Sequence, residues 1–426
     1  MSTDNVRLRQ RVLPALALLF VALLAGLFWP RTAHRDRVIE AMWAEERATD
    51  PRPSHVSPPL PGTFGELLEP HLAGLAESYE SYRQSGAEGM AQIARVSGGR
   101  EPVAKLGPEP LYNLALHRRA LEGALRATHA ESARAPAALR LFSTMRHGDP
   151  FAHAMQAARL ATLDILILLD QGRASDAATE CADVLALGRD LSYPSVLGRM
   201  IGVTVNGIVA PACGRALSAA SPEVLERTRP QLATIRAGTP RFAQILGREE
   251  LFGQLWLSDV DPRMPESART AVANYQELLK SSSYRLRNLV FRETAWAPFH
   301  VQMARYQDAQ RLAWPDCAER MDEVGRRFEW NPLARADGFG RLLRRHRDSL
   351  LKLDVLICVV SASLARARHS PLSNDAAALC PPPEAAATCG EQSAPLRIIA
   401  DAQGSRVSVT LSDGSDYSVL LAEAKK

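Results

Sequence analysis

Residues 151–191 read FAHAMQAARLATLDILILLDQGRASDAATECADVLALGRDL, and the apolar spacing in this stretch decides the fold class. Met155, Ala158, Leu160, Leu163, Leu166, Ile167 and Leu169 recur at helical intervals, Gly172-Arg173 breaks the run, and a second run resumes at Ser175. In that second run Ala178, Cys181, Ala182, Val184, Leu185 and Leu187 share a face. A period near 3.6 on both sides of a glycine break specifies two antiparallel helices whose apolar stripes meet.

The same pattern extends in both directions. Upstream, Thr63-Phe64-Gly65-Glu66 has capping-box spacing, residues 86–108 interrupt, and a helix follows over about 110–129. Downstream, a glycine-studded helix covers 194–219, and Ser221-Pro222-Glu223 opens another with a capping serine and a proline at the first helical position. From 241 to 369 the helical reading continues, broken near 261–265, 297–298, 314–315 and 331–332. The last helix, about 339–368, carries Leu350, Leu351, Leu353, Leu356, Ile357, Val360 and Leu364. Lys352 and Asp354 interrupt it, and the uncharged run of 355–365 is too short to cross a bilayer, so it reads as a core helix. No 34-residue period runs through the chain. The expected architecture is mainly α, an irregular array of α-helical hairpins.

The tail changes period. Residues 396–400, 406–412 and 417–421 read as three short strands; Val407, Val409 and Leu411 alternate with polar residues, and Asp413-Gly414 supplies a turn. A small C-terminal β-meander closing against the preceding helix is expected.

Composition agrees with a helical fold. The 426 residues are 46% hydrophobic and only 6% aromatic, with alanine and leucine throughout. Net charge is +4 with both signs interspersed, which argues against a nucleic-acid surface. The densest basic run, Arg341 to Arg347 (RLLRRHR), is read as the solvated face of an amphipathic helix.

Residues 12–30 carry no charge and are rich in Leu, Ala, Val and Phe. As a helix they span about 28 Å, close to the ~30 Å hydrocarbon thickness. Arg7, Arg9 and Arg11 precede them and Trp29 sits at the interfacial position. A cleaved signal peptide and a retained anchor compete. Trp29-Pro30-Arg31 is bulky where cleavage needs small residues, which favours the anchor. Five prolines in 50–62 (DPRPSHVSPPLPG) then read as a semi-rigid extended spacer. The resulting organisation is a cytoplasmic N-terminus (1–11), a transmembrane anchor (12–30), a juxtamembrane helix and spacer (31–62), an α-helical domain (63–369) and a loop with meander (370–426).

Cys380 and Cys389 bracket CPPPEAAATC, a loop without helical pattern, and a disulfide closing it would remove about 2.5–3 kcal/mol of unfolded-chain entropy. Cys181, Cys213, Cys317 and Cys358 lie in apolar helical patterns and read as buried thiols. An oxidising compartment is implied by the first pair.

The LLDQGRASDA turn (168–177), Gly247-Arg248-Glu249-Glu250, Asn331-Pro332-Leu333-Ala334-Arg335 and the closing Pro395-Leu396-Arg397 carry a resemblance. The chain resembles a group of bacterial membrane-anchored helical proteins with tetratricopeptide-like hairpins. Its tail is similar to the C-terminal β-meander of pseudopilins. The resemblance implies architecture and no activity.

The chain holds no His-Glu-x-x-His, Cys-x-x-Cys, Gly-x-Ser-x-Gly or Gly-x-x-x-x-Gly-Lys motif. No catalytic residue, metal or cofactor is therefore expected. His147 and His153 flank Gly148-Asp149-Pro150 and read as a capped loop before a helix. Glu249 and Glu250 sit in the apolar frame Phe242, Ile245, Leu246, Leu251 and Leu255, where a buried carboxyl could act as a general acid. An ion pair with Arg248, Arg285, Arg287 or Arg292 is the preferred reading. Trp296, Phe299, Tyr306, Trp314 and Trp330 could line a groove for a peptide or lipid, with core packing as the plainer alternative.

The functional expectation is a membrane-tethered, non-enzymatic interaction or scaffold protein of the bacterial envelope. It is single-pass in the inner membrane, with the bulk of the chain extracytoplasmic, a protein partner and no nucleic acid. The rival is an envelope enzyme or lipid-binding protein using a buried carboxylate in a helical cavity.

Overall fold

A computed structural model describes residues 36–45, 47, 52–84, 92, 95–96, 101–134, 149–193, 195–256, 261–270, 272–273, 299–328, 338–368, 379–380, 389–392, 394–401 and 404–422. The proposed anchor at 12–30 lies outside these residues, as do His147, Arg285, Arg287, Arg292, Trp296 and Trp330.

In chain order the elements are β1 (Leu60–Thr63), α1 (Phe64–Leu68), α2 (Leu72–Gln84), α3 (Pro108–Ala127), β2 (Ala130–Ser132), α4 (Asp149–Asp170), α5 (Ala174–Leu191), α6 (Val196–Ala219), α7 (Pro222–Ala237), α8 (Phe242–Trp256), α9 (Asp316–Arg327), α10 (Phe339–Ala367), β3 (Arg397–Asp401), β4 (Gly404–Thr410) and β5 (Asp416–Leu420). Unnumbered helical segments occur at 36–45 and 299–309. The fold is mainly helical with a three-stranded antiparallel sheet near the C-terminus, in the order β3-β4-β5.

The hairpin at 151–191 forms as α4 and α5, and Gly172 between them takes a positive φ of 73°, a conformation open to glycine without steric cost. Of the residues expected to face inward, Ala158, Leu160, Leu163, Leu166 and all six on α5 are buried; Met155, Ile167 and Leu169 are partly covered. The capping box is also present: Thr63 Oγ1 accepts from Glu66 N at 3.1 Å, while Thr63 N donates back to Glu66 Oε2 at 2.8 Å.

α5 packs most intimately against α6. A Cβ on Gly202 would run into the carbonyl oxygen of Gly188 and the hydroxyl of Ser192, so the two backbones touch where the glycines cross. Cys181 and Cys213, 5.5 Å apart at Cα, bridge the same two helices. α10 runs beside α6 and α7 as the second organising helix, with Leu350, Leu351, Leu353, Leu356, Val360 and Leu364 buried, as expected of a core helix. The meander closes over α10 and α6, placing Val407, Val409 and Val419 in the main core. α4 and α6 are each long and apolar enough to cross a bilayer by length and composition. Most of the α4 window and half of the α6 window are covered by neighbouring elements, and core helices of a folded domain meet the same criterion.

A second core joins Phe242, Ile245, Leu246, Phe299, Met303, Tyr306, Met321, Phe328 and Leu343. Phe299 and Tyr306 are thus interior packing and not groove residues. Trp314 lies partly buried under Arg347, whose guanidinium carbon is 4.4 Å from the ring centroid. The RLLRRHR run is likewise not a free basic face: Arg344 pairs with Asp322, and buried His346 accepts at Nδ1 from Arg199 Nε at 2.7 Å. Of its four arginines and one histidine, only Arg341 and Arg345 are exposed.

The cysteine pairing differs from the expectation. Cys380 pairs with Cys358 on α10 (Cα–Cα 5.1 Å), and Cys389 with Cys317 on α9 (6.2 Å). These separations suit disulfides, and no described cysteine is free. The loop itself is not closed on itself because its two ends dock on different helices, each beside a cysteine that the sequence reading left as a thiol.

Closing loops of 32, 72 and 22 residues removes about 3–4 kcal/mol each from the unfolded state on the entropy model. Non-reducing peptide mapping is expected to recover Cys181–Cys213, Cys317–Cys389 and Cys358–Cys380, with no Cys380–Cys389 peptide. The Cys181→Ala/Cys213→Ala double variant should lose about 3 kcal/mol in urea unfolding; recovery of a Cys380–Cys389 peptide would refute this topology.

Candidate functional site

The proline-rich stretch expected as a spacer is docked on the helical domain. Arg52 is buried and pairs with Asp190, at the end of α5, which also accepts from Arg189 Nε at 2.7 Å. Arg189 Nη1 donates to the carbonyl of Pro53 at 3.2 Å, and the Arg52 guanidinium lies 5.7 Å from the centre of the Phe64 ring. Ser54 Oγ and the Leu60 amide both donate to the carbonyl of His129, at 3.2 and 2.9 Å. β1 then pairs in parallel with β2, Leu60 against Ala130 and Thr63 against Ser132. Proline content argues for extended backbone, which this segment has; what composition leaves out is the set of distant partners that bury it.

Docking carries His55 onto α5. His55 Nε2 lies 2.9 Å from Asp183 Oδ1, and His129 Nε2, just beyond α3, lies 2.8 Å from the same oxygen. The two rings stand edge to face with centroids 5.2 Å apart. The three candidate ligand atoms all lie within 4.8 Å of one another. His55 is buried, while His129 and Asp183 retain partial exposure. Burial lowers the His55 pKa, with the bond to Asp183 acting in opposition. Burial raises the Asp183 carboxyl, and the bonds from His129 and His55 outweigh it, leaving the group below its ordinary value.

His129 and Asp183 open onto a cleft of about 750 Å³ between α3, α4 and α5. Arg118, Glu122 and Arg126 come from α3, Asp164 from α4, and Arg173, Asp176, Thr179 and Glu180 from the start and outer face of α5. Arg118 chelates Asp164 through two bonds of 3.0 and 2.6 Å, and Arg173 binds Asp176 at 2.7 Å. Glu180, one turn before Asp183, is pushed up to about 9 by burial and then by the charge of Asp164. Its Oε1 is buried without a hydrogen bond among the described residues.

The residues singled out from sequence lie elsewhere. Glu250 is bound by His300 Nδ1 (3.2 Å) and Gln307 Nε2 (3.0 Å), and by no arginine among the described residues. Arg248 faces Glu45 at 3.4 Å. Half-buried Glu249 has no hydrogen bond or ion pair among the described residues, and burial pushes its carboxyl up to about 7. His153 lies against Tyr79, ring centroids 5.7 Å apart. None of these residues reaches the cleft. Sequence reading missed His55, His129 and Asp183 because 74 and 54 residues separate them and no spacing motif results. A signal was nevertheless present: Asp164 interrupts an apolar run, and Asp176, Glu180 and Asp183 fall on one face of α5. No known protein family, curated protein or solved structure matches this chain.

Two predictions test the electrostatics. Asp190→Asn leaves Arg52 and Arg189 together without a carboxylate, and should cost about 3–5 kcal/mol in urea unfolding while exposing 52–63 to limited proteolysis. Unchanged stability and protection would show that the pair does not hold the segment. For Glu180 the folded chain holds one proton more than the unfolded chain between about 4.5 and about 9, so its contribution to stability is complete at low pH and is lost as pH rises through that window. Glu180→Gln should therefore match the parent at pH 4 and exceed it by about 1–3 kcal/mol at pH 8. Equal stability of the two at pH 8 would contradict a buried neutral carboxyl.

Proposed function

We propose that the chain is a membrane-tethered, non-enzymatic interaction protein of the bacterial envelope that engages its partner through the cleft between α3, α4 and α5. Residues 12–30 form a single-pass anchor in the inner membrane, and the helical domain lies outside the cytosol. The observation that carries this reading is an open, charged cleft held on a rigid frame of helices and three disulfides. Disulfides of this kind persist in oxidising compartments, and a cross-linked frame presents its surface without an ordering cost. With Glu180 protonated, the carboxylates of Glu122, Asp164, Asp176 and Asp183 still outnumber the three arginines on the walls, which suits a partner that presents a cationic segment.

The alternative, an envelope enzyme or lipid-binding protein built around a buried carboxylate, is favoured by one feature: Glu249, raised to about 7, could donate or accept a proton near neutrality. Phe299 and Tyr306 pack within the second core.

A photocrosslinking residue at Arg126, on the cleft wall, is expected to trap a discrete partner in intact cells; one at exposed Arg345 is expected to trap none. The full chain should stay with membranes through alkaline carbonate washing, and an alkaline phosphatase fusion at its C-terminus should be active. Indistinguishable adducts from the two positions would remove the cleft from the proposal, and an inactive fusion would remove the envelope assignment.

A further inference from the structure

We propose that His55, His129 and Asp183 form a binding site for a single divalent transition-metal ion of the zinc class, with its open coordination position facing the cleft. The site goes beyond the partner-binding reading and does not rest on it, since metal binding is measured on the isolated chain.

The donor set is the first argument. Two imidazole nitrogens and one carboxylate oxygen match three-ligand zinc centres, whereas magnesium and calcium take oxygen donors throughout. Geometry is the second. Tetrahedral bonds of about 2.0–2.1 Å set ligand atoms about 3.4 Å apart. Here the Nε2 atoms stand 2.9 and 2.8 Å from Asp183 Oδ1, and all three lie within 4.8 Å of one another. These separations bracket the tetrahedral value, so shifts of about 1 Å or somewhat more in the ligand atoms place the three around a common centre.

Preorganisation is the third argument, and it separates a metal site from a simple brace. Two histidines bonded to one aspartate could merely fasten residues 52–63 to α5. That segment is already fastened by Arg52 and Arg189 on Asp190, by the Pro53 carbonyl, and by pairing of β1 with β2. A brace at His55 is redundant. What the fastening does achieve is to fix a buried imidazole opposite a half-exposed one, each on an independently held backbone. Three protein ligands leave one tetrahedral position unfilled, and His129 and Asp183 border the cleft, so solvent or a ligand would occupy it from that side. Within the cleft Arg118 is paired with Asp164 and Arg173 with Asp176, so neither of these guanidinium groups is bound to Asp183.

The test uses the full chain, purified in detergent with its disulfides intact, stripped by chelation and titrated with zinc chloride by calorimetry and by dialysis with elemental analysis. No described cysteine is free, so thiols do not compete for the metal. One equivalent bound with sub-micromolar affinity is expected, as is tetrahedral visible absorption on loading with cobalt(II). His129→Ala, at a half-exposed position, and Asp183→Asn, nearly isosteric, should each weaken zinc binding by about 100-fold or more. Asp316→Asn, an exposed acidic residue on α9 outside both the cleft and the ligand set, should bind like the parent. Absence of stoichiometric zinc on the wild-type chain would overturn the proposal. So would retention of wild-type affinity by His129→Ala or by Asp183→Asn, with circular dichroism establishing that each variant is folded.

Discussion

One buried carboxylate fixes where the candidate site can exist. Asp190 lies in the interior with the guanidinium groups of Arg52 and Arg189, two cations that would repel each other in a medium of low dielectric without it. Asp183 lies seven residues earlier on the same helix, about 10 Å along its axis at 1.5 Å per residue. From Arg52 to His55 the chain advances three extended residues, again about 10 Å. The segment therefore runs along α5 in the reverse direction with matched reach: with Arg52 seated on Asp190, His55 arrives at Asp183. Length, direction and charge agree, and the histidine pair follows from the arginine pair.

How much of this was legible depends on whether the information was local. The α4–α5 hairpin was legible because helical period and a glycine break are properties of a dozen adjacent residues. The capping box at Thr63 and the meander at the C-terminus were legible for the same reason. The docking of 52–62 was not legible because its prolines specify an extended backbone correctly while saying nothing about what buries it; Asp190, Arg189 and His129 are distant in the chain. The cysteines failed in the same way. Cys380 and Cys389 look paired because they are near in sequence, whereas each is nearer in space to a helical cysteine whose apolar neighbours marked it as a plain core residue. The histidine–aspartate cluster is the extreme case, with three residues on three elements and no shared motif.

The aromatic residues illustrate a different limit. Phe299, Tyr306 and Trp314 were rightly singled out as a concentration of scarce large side chains, but concentration serves a groove and a core equally well. The second core resolves it physically: Phe299 and Tyr306 join Phe242 and Phe328 there, packed among Ile245, Leu246, Met303, Met321, Leu342 and Leu343. The close contact of Gly253 with the Phe299 ring shows how the space is filled.

α5 combines the main core and the candidate site, and helical periodicity permits this. Ala177, Cys181, Val184 and Gly188 form one stripe toward the interior and α6; Asp176, Thr179, Glu180 and Asp183 form another, turned toward the cleft. Placing several carboxyl groups on the second stripe with Asp164 opposite is unfavourable in isolation. The fold limits the cost by giving arginine partners to Asp164 and Asp176, keeping Glu180 protonated near neutrality, and directing two imidazoles at Asp183. A helix that needed only to pack would have no use for this arrangement, since apolar or neutral side chains on that face would be more stable. Local destabilisation held in place by a close-packed opposite face is what the proposed binding surface requires, and here it coincides with the wall of the cleft that His55 of the docked segment reaches.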